Sequence, residues 1–186
     1  MTKCAWKLLG DYLRDTQLLG SIQSTLYWDQ NTSMPIAGSP WRGEQLSLLA
    51  KQLHARQSSE EFEALIIEAN SELQELIQQD NLGPQSIIDR SRNLQLLEQD
   101  FQRQKSLDSK LVTQIATAQS EGYMLWQEAR KNNDYLSFAP ALQKLISLRK
   151  EQSSQLNEKR SCWETLAQPF EPDLTINRVN ELFEPL

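Results

Sequence analysis

Apolar residues recur along this chain at steps of three and four, the spacing that lines up one face of an α-helix. Between residues 6 and 31, Leu9, Tyr12, Leu13, Leu19, Ile22 and Leu26 share one stripe, and Gly10 and Gly20 mark points where the helix is expected to bend. Pro35 ends the stretch, because a proline pushes the preceding residue out of helical geometry, and 33–40 reads as a turn-rich loop. Ser39-Pro40 opens a second helix, as a capping serine followed by a proline in the first position; Leu46, Leu49, Ala50 and Leu53 form its stripe. Ser58 with Glu61 reads as a capping box before a third helix carrying Phe62, Ile66, Ala69, Leu73 and Ile77. Asn81-Leu82-Gly83-Pro84 is a stop and restart.

A fourth helix is predicted over residues 85–105, and a fifth from Ser106 or Asp108 to a break at 132–134. The sixth holds Phe138, Leu142, Leu145, Ile146 and Leu148 ahead of a polar tail to 160, with Pro140 in its first turn, where a missing N–H is tolerated. Residues 168–173 read as a loop, after which Thr175 caps a last helix reaching 186. The fold expected is all-α: one helical domain over 1–186, an antiparallel bundle of about seven helices. Its last helix presents Ile176, Val179, Leu182 and Phe183 with nothing after it to pack against, which points to a chain that continues or to a docked partner. No repeat or low-complexity tract interrupts the pattern.

Composition supports the helices. Leu and Gln dominate, and Val occurs only at Val112 and Val179, so the residues that lose least freedom in a helix outweigh those that favour strands. A hydrophobic content of 39% is low for a domain that buries a core alone. The net charge of −6 argues against nucleic acid as a partner, since phosphate contacts need a basic face. No apolar run is long enough to span a bilayer, and the N-terminus lacks the features of a signal peptide. Cys4 and Cys162, far apart and outside any CxxC pair, fit a reduced, cytoplasmic protein.

Candidate chemistry is thin. His54 is the sole histidine, whereas a catalytic zinc usually takes three protein ligands. It is read as a helix-surface or capping histidine, and no metal or catalytic residue is assigned. Cys162, beside Trp163, is read as a buried thiol. The most unusual stretch is Tyr27-Trp28-Asp29-Gln30-Asn31 before Met34-Pro35. Trp28, Asp29 and Gln30 are candidates to line a cleft and hold a peptide backbone. The competing and favoured reading buries the Trp28 ring and uses Asp29 and Gln30 to cap helix ends. From Tyr123 to Pro140 the chain reads as an aromatic helix–turn–helix corner, in which Arg130 and Asp134 stand one turn apart as an ion pair.

These two stretches resemble the carboxypeptidase Taq family of metallocarboxypeptidases. The likeness lies in Leu26-Tyr27-Trp28-Asp29-Gln30, Met34-Pro35 and Arg42-Gly43-Glu44-Gln45-Leu46 up to His54. It continues in Trp126 to Tyr135 and Phe138-Ala139-Pro140, and more weakly in Trp163-Glu164-Thr165-Leu166. Local departures are Ile36 where a second proline is common, Gly43 for a usual alanine, and Asp173 for a common glycine. The resemblance implies a helical wall or lid of a deep groove, peptides shortened from the C-terminus, homodimers, and a zinc or cobalt site built on HExxH. In such a site the metal lowers the pKa of bound water and the motif glutamate acts as base. No HExxH occurs in these 186 residues, so the chain corresponds to the N-terminal part of a longer peptidase and is expected to be inactive alone. The alternative is a short, non-catalytic helical protein of this descent that acts by binding a partner.

Overall fold

The computed structural model describes residues 4–156, 159–172 and 174–184. The predicted helices are present: α1 (Ala5–Thr32), α2 (Ser39–Gln57), α3 (Glu60–Gln78), α4 (Pro84–Lys105), α5 (Ser109–Asn132), α6 (Tyr135–Leu156) and α8 (Ile176–Phe183). Between α6 and α8 lies a short helix that the apolar spacing did not reveal, α7 (Cys162–Ala167). A single 3-10 turn (Ile36–Gly38) joins α1 to α2, and no strand occurs among the described residues. None of the described helices is long and apolar enough to cross a membrane.

Leu9 and Tyr12 of α1, Phe62, Ile66, Ala69 and Leu73 of α3, and Leu94 and Phe101 of α4 form the larger core. Leu111, Ile115 and Ala118 of α5 with Leu148 of α6 form a second, smaller one. α2 packs on α1 and, more extensively, on α5, so it ties the two cores together. In the first core Tyr12 stacks on Phe62 at 5.4 Å between centroids, and Phe62 and Phe101 meet in a T shape at 6.0 Å, geometries that favour aromatic pairs. The Tyr12 hydroxyl donates to the Arg56 carbonyl at 2.8 Å, while the Arg56 guanidinium lies 4.1 Å over the Tyr12 ring. The α2–α3 turn is thereby bolted to the middle of α1. Gly122 lets α5 and α6 close up, because a Cβ there would stand 3.2 Å from Leu145 Cδ1.

Helix ends correct several expectations. The Ser58 hydroxyl turns back to the His54 carbonyl at 2.7 Å and closes α2, so Ser59, not Ser58, caps α3. The Ser39 hydroxyl is likewise taken by the Ile36 carbonyl, because the 3-10 turn already feeds Gly38 into α2 in helical geometry. Asp80 and Asn133 adopt left-handed backbone (φ 54° and 52°) and end α3 and α5 without glycine, a conformation Asp and Asn tolerate. Asp134 forms no ion pair with Arg130; its carboxylate instead accepts from the Ser137 N–H at 3.2 Å and starts α6 there. Pro140 consequently falls in the second turn and not the first, and leaves the carbonyl of the exposed Leu136 to water. α1 runs unbroken through Gly10 and Gly20. The described part of α6 ends at Leu156, residues 159–160 are not helical, and α8 ends at Phe183; residues 157–158 of the predicted tail, the predicted reach to Leu186 and the substitution at Asp173 lie outside the described residues.

α1 has no side-chain cap of its own, and α3 supplies one across the bundle. Glu72 accepts from the Cys4 thiol at 2.7 Å and from the Trp6 N–H at 2.9 Å. The thiol hydrogen bond, then the backbone N–H groups and Arg90, hold the Glu72 carboxyl below the usual glutamate range against a smaller opposing effect of burial. A lowered folded pKa stabilises above the unfolded pKa and is lost as pH falls through the folded one. The stability difference between wild type and Glu72→Gln should therefore be present near neutral pH and shrink in acid. Urea midpoints of both proteins across that range test this; a difference independent of pH would refute the assignment.

Candidate functional site

The corner between α1 and α2 is built from the proline break. Ser33 and Met34 N–H groups both return to the Asp29 carbonyl at 2.9 Å, Pro35 leaves in extended geometry, and the 3-10 turn closes through the Gly38 N–H on the Pro35 carbonyl at 2.9 Å. Arg42, only 9% exposed, reaches back from the start of α2 across this corner. Its guanidinium donates to the Leu26 carbonyl, to the Asp29 carboxylate and, through Nε at 3.0 Å, to Gln45 Oε1. This forked arrangement fixes two turns of α1 against α2. Sequence reasoning did not single out Arg42; a cation in the first turns of a helix, where the dipole disfavours it, was the available signal.

The three groove candidates separate. Gln30 is buried (4% exposed) and exchanges hydrogen bonds with α5: Ser120 Oγ donates to Gln30 Oε1 at 3.0 Å, and Gln30 Nε2 donates to the Ser120 carbonyl at 3.4 Å. It cannot face a groove, and it caps no helix. The Asp29 carboxylate is engaged by Arg42 and caps no helix end either. Trp28 is 64% exposed, so its burial is overturned: the Arg42 clamp and the Gln30–Ser120 tie turn the opposite face of α1 inward. Ile36 and Trp41 are exposed on the same corner. The corner thus offers aromatic surface, and its buried or half-buried charged groups, Arg42 and Asp29, are spent on each other. It suits packing against an apolar side chain. Trp28→Ala should change the unfolding free energy by no more than about 0.5–1 kcal/mol, as for other surface substitutions. A drop in thermal midpoint as large as a core truncation produces would return Trp28 to the interior.

A cleft of about 500 Å³ opens between α1, α2 and α5, walled by Gln23, Tyr27, His54, Gln57, Gln104 and Ala116 among others, and no Asp, Glu, Lys or Arg lines it. Of the aromatic stretch, Tyr27 alone reaches it. Burial pushes the Tyr27 phenol up, partly offset by Arg149, and burial lowers the Arg149 guanidinium. His54 is buried, not on the helix surface, and its Nε2 stands 3.1 Å from the Gln104 carbonyl. A carbonyl only accepts, so Nε2 carries the proton and is spent on α4. Cys162 is exposed, as is Cys4. Ser161 and Glu164 form a capping box at α7 that turns Thr165 inward and leaves Cys162 at the rim. Among the described residues no three His, Cys, Asp or Glu side chains gather as a metal cage would require, so the donors present do not fit a zinc or cobalt ion.

The same arrangement of long helices recurs in solved structures. The crystal structure of BsuCP superposes on 97% of this chain with a TM-score of 0.83 and 22% identity, over 34% of its own length. The M32 carboxypeptidase of Deinococcus radiodurans R1 covers 97% of the chain with a TM-score of 0.71 and 25% identity, again over 34% of its length. Thermostable carboxypeptidase 1 of Thermus thermophilus is 28% identical over 154 residues, 83% of this chain and 29% of the relative. The carboxypeptidase Taq (M32) metallopeptidase family model matches residues 8–186, and the chain belongs to that family. It spans about a third of the length of the relatives it matches.

Proposed function

We propose that this chain is the N-terminal helical part of a zinc-dependent metallocarboxypeptidase, forming a wall or lid of the groove in which peptides are shortened from the C-terminus. The observation that carries this reading is the family match from residue 8 to 186 on a chain that spans a third of its relatives. The sole histidine is spent on the Gln104 carbonyl, and no step of peptide hydrolysis is assigned to residues of this chain. Within the proposed groove, Trp28 is the one sequence candidate free to meet a peptide, while Asp29 and Gln30 hold the corner that presents it. Peptide as the partner and homodimer assembly follow from the same family reading, the two separated cysteines support a cytoplasmic setting, and the net charge of −6 supports the exclusion of nucleic acid.

The test is direct. The purified 186-residue chain, incubated with zinc and a series of peptides, should leave their masses unchanged. The reading frame in its gene should continue into an HExxH motif. Release of C-terminal residues by clean protein would refute inactivity alone. A stop codon after residue 186, together with a stable soluble oligomer, would favour the non-catalytic binding protein instead.

A further inference from the structure

The cleft between α1, α2 and α5 is lined by carboxamides drawn from four helices. Gln23 of α1, Gln57 of α2, Gln104 of α4 and Gln152 of α6 are all half-buried along it. The side chains of Gln23, Gln57 and Gln104 have no hydrogen-bond partner among the described residues. They are not sealed in, since Thr165 Oγ1, outside the cleft, is the sole buried side-chain polar atom without a partner among the described residues. Two other groups are set by bonds of their own. Gln152 Oε1 accepts from the Arg149 guanidinium at 2.7 Å, which leaves the Gln152 NH2 to donate. His54 Nε2 donates to the Gln104 carbonyl at 3.1 Å, which leaves Nδ1 as an acceptor. The Tyr27 phenol, held in its neutral form by burial, can donate and accept. The apolar part of the lining is Leu53, Leu107, Ile115 and Ala116.

This lining selects a ligand by charge first. No Asp, Glu, Lys or Arg belongs to it, and Arg149 is turned to Gln152 from outside, so a charged ligand would shed its hydration with no counter-charge to replace it. A free peptide short enough to enter would leave both its ammonium and its carboxylate unpaired. A wholly apolar ligand would strand the carboxamides, at the cost of their hydration. The chemistry that matches is uncharged, with donor and acceptor hydroxyls around its edge and C–H surface on its faces, which is that of a saccharide. The volume of about 500 Å³ lies within the range of small-molecule sites, about 300–1,000 Å³. We propose that this cleft is a binding site for a neutral mono- or disaccharide. Gln23, Gln57, Gln104 and Gln152 hold its hydroxyl edge, and Tyr27 with the apolar lining packs on its C–H face. The site stands independently of the peptidase reading.

Titration of the 186-residue chain with glucose, maltose and trehalose, followed by nitrogen–proton correlation spectra that include the glutamine side-chain amides, tests the site. For at least one sugar, saturable shifts are expected at Gln23, Gln57, Gln104, Gln152 and Ala116, with a dissociation constant on the order of 1 mM. Gln57→Leu removes a carboxamide at nearly constant volume and should weaken this binding about 3–10-fold, the worth of one neutral hydrogen bond. Gln23→Leu, on a different helix, should do the same, with the Leu94 and Phe101 signals unmoved in both variants as the control for folding. Shifts that saturate with none of the sugars would overturn the site, as would unaltered affinity in both leucine variants. Tighter binding of the zwitterion glycylglycine at the same residues would overturn the saccharide assignment and make the cleft a peptide site.

Discussion

Phe101→Ala is expected to lower the free energy of unfolding by about 3–5 kcal/mol, the usual cost of emptying a buried aromatic site. Phe101 is wholly buried and stands at the point where α4 meets α3. Its ring packs T-shaped against that of Phe62, which in turn stacks on Tyr12, so the substitution removes one end of a three-ring column running from α1 to α4. The Lys105 ammonium lies 5.1 Å from the same ring and reaches on to Glu63 at 2.9 Å, and it would lose its aromatic partner as well. Little can collapse into the space, because Leu94 and Leu73 are held by their own helices. In a protein of this size each kcal/mol lowers the thermal midpoint by about 2–4 °C, so a fall on the order of 10 °C is expected by circular dichroism. Phe101→Leu should lose markedly less. An unchanged midpoint for the alanine variant would show that the α3–α4 packing does not carry the first core.

Arg42→Ala is expected to cost about 2–3 kcal/mol. Hydrogen bonds to a charged group are worth about 1.5–3 kcal/mol net, and here one guanidinium serves a backbone carbonyl, a carboxylate and an amide. The full penalty for breaking a buried pair does not apply, because the Asp29 side chain is 37% exposed and water can take over its charge. Arg42→Lys should recover only part of the loss, since an ammonium cannot fork between Leu26 and Asp29. The effect should be local as well as global: amide exchange should rise over residues 33–41, and fluorescence of Trp28 and Trp41 should shift, before the α3–α4 core opens. Full rescue by lysine, or a loss below about half a kcal/mol, would mean that the proline turn holds itself.

Read from sequence, the helices come out well and their side-chain roles less so. Spacing located α1 to α6 because a buried stripe must repeat every 3.6 residues whatever it packs against. Six-residue α7 is too short to show such a stripe; its local signal is the Ser161–Glu164 capping box. The choice between Ser58 and Ser59, or between Ser39 and Gly38, depends on which hydroxyl the preceding turn has already used, and composition carries no record of that. Trp28 was expected inside because a large ring is usually buried, yet its neighbours Gln30 and Tyr27 took the inward directions. Successive helical residues point about 100° apart, so a four-residue aromatic and polar run cannot all face one way. Which of them turns inward is decided by the partner helix.

The sequence by itself determined the helical class, most of the helix limits, the family, and the lack of an HExxH motif, since these follow from local periodicity, residue type and order along the chain. Only the tertiary structure decided that Arg42 clamps the α1–α2 corner, that Gln30 belongs to Ser120, that His54 is spent on Gln104 and that Trp28 faces out. The physical reason is distance in the chain. Gln30 and Ser120 lie 90 residues apart, and His54 and Gln104 lie 50 apart. The free energy that assigns each polar group its partner arises when packing excludes water around both of them.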